Sequence, residues 1–395
     1  MSAGENQSVE HHNVEWDDAV SLSFQAAVCL GSETLPISEA IDRVLSQDLV
    51  AELALPPAHT AMMDGYAVYG PGPWKIVGEL HAGSFLPYLD AGCALKVSTG
   101  AHLPPHCSFV IPQEMVTLFE GDVASKISFK PGQHIRPPGD EAEPGEIIAA
   151  AGNLVTPAAA GLAASSGIDQ VTVQIRPSVS VIVTGDELVS SGEIGPGQIR
   201  DSLTIQVGTW ARYLGAEIAS SINCNDSESE LTSSIRNSQS QIIITTGGTA
   251  HGEKDYLRMA LTNLRATYVV DEIRMRPGHP TILAKLPSGQ FVAGLPGNPL
   301  AALVSFLTVV APVIRGLLNE ELAELVSVGL EKSFPADRTR VIPIAFQRGV
   351  AVPTEYRGSA MLRGLANAKA LAVISEGENP AGTKVRILPL PWRVN

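Results

Sequence analysis

The sequence predicts a multidomain α/β protein. Three observations carry this. From residue 178 onward, apolar strand-type runs alternate with helix-type segments, the pattern of a doubly wound parallel sheet. Residues 52–140 break into short β-type runs separated by Gly and Pro, an all-β insertion. Residues after 333 alternate again as short strands, a small C-terminal β-domain. A length of 395 residues suits two to four domains.

In chain order, residues 1–15 are polar and acidic and read as unstructured. A helix is predicted from Trp16, with Val20, Phe24 and Val28 as its apolar stripe. A second helix is predicted over 37–45. In the insertion, strands are predicted at 66–69, 74–77, 109–111 and 126–129. Pro157 is a good first helical residue before AAAGLAASSG. VSVIVTGDEL then reads as strand and turn, 202–214 as helix, and GAEIASSI as strand. SESELTSSIRNS reads as helix, QIIITTGG as strand, and 256–264 as helix. VAGLPGNP leads into one apolar helix over 300–318. Strands at 341–346, 371–374 and 385–388 close the chain. Composition shifts place boundaries near 27, 51, 140, 177 and 330.

A net charge of −14 argues against non-specific nucleic-acid binding. Cys29, Cys93, Cys107 and Cys224 lie far apart without a CxxC spacing, so they are expected reduced, mostly buried and cytosolic. The first residues carry no basic n-region or apolar h-region, and 158–164 is too short to span a bilayer. A cytoplasmic protein without membrane segments is expected.

In an open parallel sheet, ligands sit beyond the carboxyl ends of the strands. Three Gly-rich loops fall there: TGDEL (184–188), TTGGTAHGEKDY (245–256) and GLPGNP (294–299). Gly247 and Gly248 let backbone approach a ligand, and the loop amides can donate to phosphate oxygens. Thr246 and Thr249 add hydroxyls. Gly247-x4-Gly252 has P-loop spacing, but Glu253 stands where a Lys is needed, and no GxGxxG follows a strand. Glu187 and Asp255, at the tips of two strands, suit a magnesium ion held against a phosphate. Asp64, Asp140 and Glu141 lie in Gly- or Pro-rich turns and by themselves read as turn formers. Arg274, Arg276 and His279 form a possible anion cradle or a solvated edge. His102 and His106 are separated by Pro104 and Pro105, which forbid the helix that would align them on zinc.

Taken together, AMMDGYAV (61–68), STGAHLP (98–104), IRPPGDE (135–141), VTGDEL (183–188), GQIRDS (197–202), TTGGTAHGEKDY, RPGHP (276–280), GLPGNP and GSAMLRGLANA (358–368) resemble one family. It is the molybdopterin molybdenumtransferases, to which the E domain of gephyrin is similar. The resemblance covers nearly everything after residue 16. It implies a molybdopterin-binding sheet domain (1–27 and 178–329), a linking domain (28–51 and 141–177), a β-rich insertion (52–140) and a C-terminal β-domain (330–395). It implies a homodimer whose active sites lie where one subunit's sheet domain faces the other's small domains. The implied reaction inserts molybdate into adenylylated molybdopterin and releases AMP. The implied partner is the molybdopterin adenylyltransferase.

Residue by residue, the resemblance implies catalytic roles for Asp64, Asp140, Glu141 and Asp255. It implies substrate contacts from Thr246, Gly247, Gly248, Thr249, Gly252, Pro296, Gly297 and Asn298. Glu187 and Asp255 would hold Mg2+, and Arg276, His279, Arg338 and Ser359 would hold molybdate. Four positions depart from the family pattern: His279 replaces a Lys, Ala250 and Ala301 replace Ser, and Glu141 replaces Asp. The insertion is also shorter than typical. Two lost donors at about 1.5–3 kcal/mol each weaken oxyanion affinity on the order of a hundredfold or more. Two other outcomes are therefore weighed: a paralogue with altered oxyanion use, such as tungstate, and a dimeric scaffold without activity. Retention of Asp64, Glu187 and Asp255 counts against the scaffold.

Overall fold

The computed structural model describes residues 12–84, 88–247, 255–322 and 324–392. Two compact units emerge, Met1–Gly31 with Gln174–Asn395, and Ser32–Val173.

The first unit is built on a seven-stranded sheet. Its order is His12–Val14, Thr267–Ile273, Ile282–Lys285, Phe291–Leu295, Ile242–Thr246, Ser178–Thr184, Glu217–Cys224. The interior strand Ile242–Thr246 is buried along its whole length, as expected where helices cover both faces. Ile182, Ile243 and Val292 pack on one face against Leu231 and Ile235 of the helix Glu228–Asn237 and Leu257 and Leu261 of Tyr256–Asn263. The predicted parallel sheet is corrected to a mixed one. Ile282–Lys285 runs antiparallel to both neighbours. The short links 274–281 and 286–290 are too brief for a right-handed crossover, which needs about a dozen residues, so the chain turns back as hairpins.

The helix Trp16–Gln25 starts where predicted, but Trp16, Ala19 and Ser23 are its buried face, and Val28 lies beyond its end at 71% exposure. The single helix predicted over 300–318 is Pro299–Ser305 and Ala311–Leu317 joined by a π-turn at Phe306–Val310. Pro312 has no N–H to give the carbonyl one turn back, and the Thr308 hydroxyl adds a side-chain bond to the Val304 carbonyl, so the ladder widens there. By length and apolar composition Pro299–Leu317 meets the test for a membrane span, yet 89% of it is buried in this fold. It is the core helix of the unit.

The C-terminal strands form a separate sheet: Met275–Arg276, Thr339–Gln347, Ala370–Ile374, Lys384–Leu388 and Ser327–Gly329, with Val350–Pro353 also on Thr339–Gln347. Ile342, Ile344, Ala372 and Ile374 fill its core. The strand Met275–Arg276 is donated to this sheet by the segment between two strands of the larger one.

The second unit holds a six-stranded sheet ordered Phe109–Pro112, Gly65–Tyr69, Cys93–Val97, Trp74–Leu80, Asp122–Ser125, Val116–Phe119. The strand predicted at 126–129 is not formed. The turn at Glu120 and Gly121, both at positive φ, pairs Asp122–Ser125 with Val116–Phe119 and exhausts the hairpin before residue 126. Beside this sheet, Ala40, Leu45, Leu49, Val155, Ala163 and Val173 make a small core under the helix Pro157–Ser165, which Thr156 caps. The helix predicted over 37–45 is only one 3-10 turn, Ile37–Glu39. Its continuation is extended because the amides of Asp42, Leu45 and Ser46 bond the carbonyls of Val155, Asn153 and Thr172. Cys224 is buried, Cys93 and Cys107 are partly buried and Cys29 is exposed, so the expectation of mostly buried cysteines is corrected; all four are free thiols.

Candidate active site

Three neighbouring parallel strands, Ser178–Thr184, Ile242–Thr246 and Phe291–Leu295, end level with one another, because Val183 pairs with Thr246 and Thr246 with Leu295. The three Gly-rich loops therefore leave the sheet side by side. The Gly247 amide donates to the Leu295 carbonyl at 3.0 Å, and the Thr184 hydroxyl donates to the Thr246 carbonyl at 2.9 Å. Gly247 has φ of +88°, and a Cβ there would stand 2.9 Å from the Thr184 hydroxyl, so only glycine fits. A Cβ on Gly297 would stand 3.8 Å from the Gly247 Cα, which puts the 294–299 loop directly against the 245–256 loop. The Thr246 hydroxyl is buried and has no hydrogen-bond partner among the described residues. Pro296 is buried, while Gly297 and Asn298 are exposed. Gly248, Thr249, Ala250 and Gly252 lie outside the described residues.

Asp255 caps the helix Tyr256–Asn263, accepting from the Arg258 amide at 3.2 Å, and its carboxylate also pairs with Arg258 Nε at 2.9 Å. Arg258 bridges onward to Asp271 and lies over the Tyr268 ring. Glu187 is exposed, with its carboxylate beside Gly185. Among the described residues no group of three or more His, Cys, Asp or Glu side chains is close enough to enclose a metal ion. Mg2+ retains waters and is held by one or two carboxylates plus substrate phosphates, so the exposed Glu187 beside the loops fits such a shared site.

Two of the segments that carry oxyanion candidates, those of Ser359 and of Arg276, meet the helix Pro299–Ser305. The carbonyl of Ser359 accepts from the amides of Leu300 (2.9 Å) and Ala301 (3.3 Å). Gly278 packs so tightly that a Cβ would stand 2.9 Å from the Ser305 hydroxyl and 3.6 Å from the Ala301 carbonyl. Arg276 pairs across strands with Arg340, and Arg338 meets Asp337 at 3.4 Å. His279 Nδ1 donates to the Ile273 carbonyl at 2.8 Å, and its Nε2 stands 3.5 Å from Glu272. Both ring nitrogens thus have protein partners. Arg274 is neutralised by Glu15 and Glu376.

In the unit Ser32–Val173, Asp64 stands at the start of the strand Gly65–Tyr69. Its Oδ1 accepts from the Thr99 amide at 2.7 Å and hydroxyl at 2.8 Å, which hold the carboxyl below the ordinary carboxylate range. A Cβ on Gly65 would lie 2.0 Å from the Ile111 carbonyl, so the close strand approach requires glycine directly after Asp64. Asp64 faces a shallow opening of about 710 Å³ with Met63, Thr99, Gln113 and Glu114. Asp140 and Glu141 share one partner: Arg136 donates from Nε to Asp140 (2.9 Å) and from its terminal nitrogen to Glu141 (2.7 Å). These two carboxylates raise the Arg136 pKa.

Comparison with known proteins bears on the family and the fold. Residues 14–167 match the family described as MoeA N-terminal region (domain I and II), 180–316 match the probable molybdopterin binding domain, and 330–390 match the MoeA C-terminal region (domain IV). A molybdopterin molybdenumtransferase of Haemophilus influenzae is 33% identical over 300 residues, covering 73% of this chain and 74% of that protein. This chain belongs to the molybdopterin molybdenumtransferase family. Molybdopterin molybdenumtransferase 2 of Mycobacterium tuberculosis is 29% identical over 394 residues, 90% of this chain and 95% of that one. The solved molybdopterin biosynthesis moea protein from Pyrococcus horikosii superposes with a TM-score of 0.80 at 26% identity, over 97% of this chain and 100% of that one.

Sequence reasoning within the family frame missed Thr99, Arg136, Arg258, Arg340 and Arg357. Arg136 and Thr99 sit inside quoted motifs, four residues before Asp140 and in the STGAHLP run, so their chemistry was within reach. Arg258, three residues after Asp255, carried the helical i, i+3 signal. Arg340 and Arg357 had no local signal, because strand pairing brings Arg340 to Arg276 and the shared Phe334 ring brings Arg357 to Arg340.

Proposed function

We propose that this transferase of molybdenum cofactor biosynthesis takes adenylylated molybdopterin and molybdate, releases AMP, and leaves molybdenum on the dithiolene. One observation carries the reading. The exits of three adjacent strands bring the 184–188, 245–256 and 294–299 loops together, with Ser359 tied to the same helix start. Thr246, Gly247, Gly248, Thr249, Gly252, Pro296, Gly297 and Asn298 bind the substrate, the glycines by exposing backbone amides. The unpaired Thr246 hydroxyl is one polar atom there awaiting a partner. Glu187 and Asp255 hold Mg2+, which when bound neutralises and polarises the phosphoanhydride. Asp64, kept ionised by Thr99, together with Asp140 and Glu141 oriented by Arg136, supplies fixed negative charge and proton acceptors from the small domains. Arg276, Arg338 and Ser359 bind molybdate.

A homodimer, contact with the adenylyltransferase that delivers the substrate, and cytoplasmic residence belong to the same proposal. The free cysteines are consistent with the last.

The test is turnover of adenylylated molybdopterin with molybdate by Asp64→Asn and Asp255→Asn. Asn keeps an oxygen acceptor for the Thr99 and Arg258 amides, so both variants fold. Each is expected to lose at least 100-fold in turnover, on the order of 3 kcal/mol of barrier. Wild-type rates in both would refute these roles. A second reading, altered oxyanion use, is favoured by the His279 ring being held by Ile273 and Glu272. In that case His279→Lys lowers the molybdate concentration needed for half-maximal turnover.

A further inference from the structure

Four arginines meet where the strand Met275–Arg276 joins the C-terminal sheet. Arg276 lies opposite Arg340 in the parallel pairing, and Arg338 lies in the bend that leads into the strand Thr339–Gln347, two residues before Arg340. The Arg340 guanidinium lies 5.8 Å from the centroid of the Phe334 ring and that of Arg357 lies 5.6 Å from the same ring. One aromatic side chain therefore orients two guanidinium planes. Burial first, then the charges of Arg276, Arg357 and Arg338, lowers the Arg340 pKa, with Asp337 as the opposing charge. Arg340 Nε is buried without a hydrogen-bond partner, and Arg276 makes no ion pair among the described residues. Beside the cluster is an opening of about 610 Å³ whose wall includes Lys332, Phe334, Thr354, Glu355, Arg357 and Met361.

In a chain of net charge −14, four guanidinium groups facing mainly Asp337 are not an evenly solvated surface. Their like charges repel one another, which an anion among them would relieve. Guanidinium forks grip two oxygens each, which suits a tetrahedral oxyanion of charge −2. The cluster also adjoins the substrate loops. Ser359, two residues beyond Arg357, bonds the start of the Pro299–Ser305 helix, and Gly278, two residues beyond Arg276, packs on the same helix.

We propose that Arg340 and Arg357 complete, with Arg276 and Arg338, a four-arginine cradle for a tetrahedral dianion, molybdate in this reaction. They supply anion donors that His279, whose two ring nitrogens face the Ile273 carbonyl and the Glu272 carboxylate, does not. The identity of the anion rests on the function proposed above. A nucleotide phosphate shares the same chemistry, so the test carries both ligands.

Equilibrium dialysis of the full chain against molybdate, and separately against AMP, is run on wild type, Arg340→Gln, Arg357→Gln and Arg348→Gln. Arg348 lies in the exposed hairpin turn of the same sheet and controls for net charge. Arg357 is exposed, so its variant folds even if Arg340→Gln does not. Arg340→Gln and Arg357→Gln are each expected to weaken molybdate binding at least tenfold, with Arg348→Gln within twofold of wild type and AMP binding unchanged. Wild-type molybdate affinity in the two variants overturns the cradle. So does a wild-type chain that binds no molybdate, or a loss confined to AMP. Molybdate binding that depends on Arg340 and Arg357 in a chain without turnover upholds the cradle and sinks the function.

Discussion

Asp64 and Cys107 show how neighbours set the chemistry of single residues in the insertion. The Thr99 amide and hydroxyl stabilise the Asp64 carboxylate, so it is ionised across the physiological range. Cys107 is the opposite case. Burial beside Leu103 and Val110 pushes its thiol from 9.0 to about 11. In the unfolded chain the thiol ionises near 9, whereas the fold keeps it protonated to about 11. Ionisation therefore favours unfolding as pH rises from about 9 to about 11, and below 9 the group contributes no pH dependence. At pH 8, iodoacetamide is expected to alkylate exposed Cys29 and to spare Cys107, with mass spectrometry of the digested protein as the readout. Alkylation of Cys107 at an equal rate would contradict this burial. At this scale the carboxylates were legible as candidates, and Arg136 and Arg258 stood at readable spacings from Asp140 and Asp255, but the pairing of Asp64 with Thr99 was not legible. Thr99 lies 35 residues from Asp64, and nothing local in AMMDGYAV announces it.

The helix Pro299–Leu317 is the element whose internal irregularity has a traceable cause. Its π-turn places the Thr308 hydroxyl to donate to the Val304 carbonyl at 2.7 Å and to accept from Trp16 Nε1 at 3.0 Å. That second bond ties the core helix to Trp16–Gln25. Thr308→Val keeps the volume but leaves the buried indole N–H without an acceptor, which costs about 1–3 kcal/mol. Denaturant unfolding is expected to show that loss, and an unchanged midpoint would mean that Trp16 finds another acceptor. Elements with strong local signals emerged where predicted: Ile242–Thr246 from its isoleucine run, and Pro157–Ser165 from its Thr-Pro start. The 37–45 helix failed because apolar spacing alone does not tell a helix from a segment whose amides bond to distant carbonyls.

At the scale of the whole molecule, the proposed reaction requires carboxylates from two compact units. Asp64, Asp140 and Glu141 belong to Ser32–Val173, whereas Glu187 and Asp255 belong to the sheet unit. In the proposed homodimer each active site combines these units from different subunits. The prediction is complementation. Asp64→Asn and Asp255→Asn, inactive alone, are co-expressed so that subunits mix at random. Half of the dimers are then mixed, and each mixed dimer has one intact site of two, giving about a quarter of wild-type turnover. Sites built within one subunit would give none, because every site would carry one substitution.

The order of motifs along the chain established the family and the residues that bear charge, because glycine-rich loops after buried strands and isolated carboxylates keep their chemical meaning without coordinates. The strand runs themselves announced an α/β fold for the same reason, that a side chain's polarity is a local property. Three-dimensional packing decided the rest. It turned Ile282–Lys285 antiparallel, gave the nitrogens of His279 to Ile273 and Glu272, and set Arg340 opposite Arg276. Each of these depends on which backbone lies alongside which, and strand register joins residues dozens of positions apart that no local pattern relates.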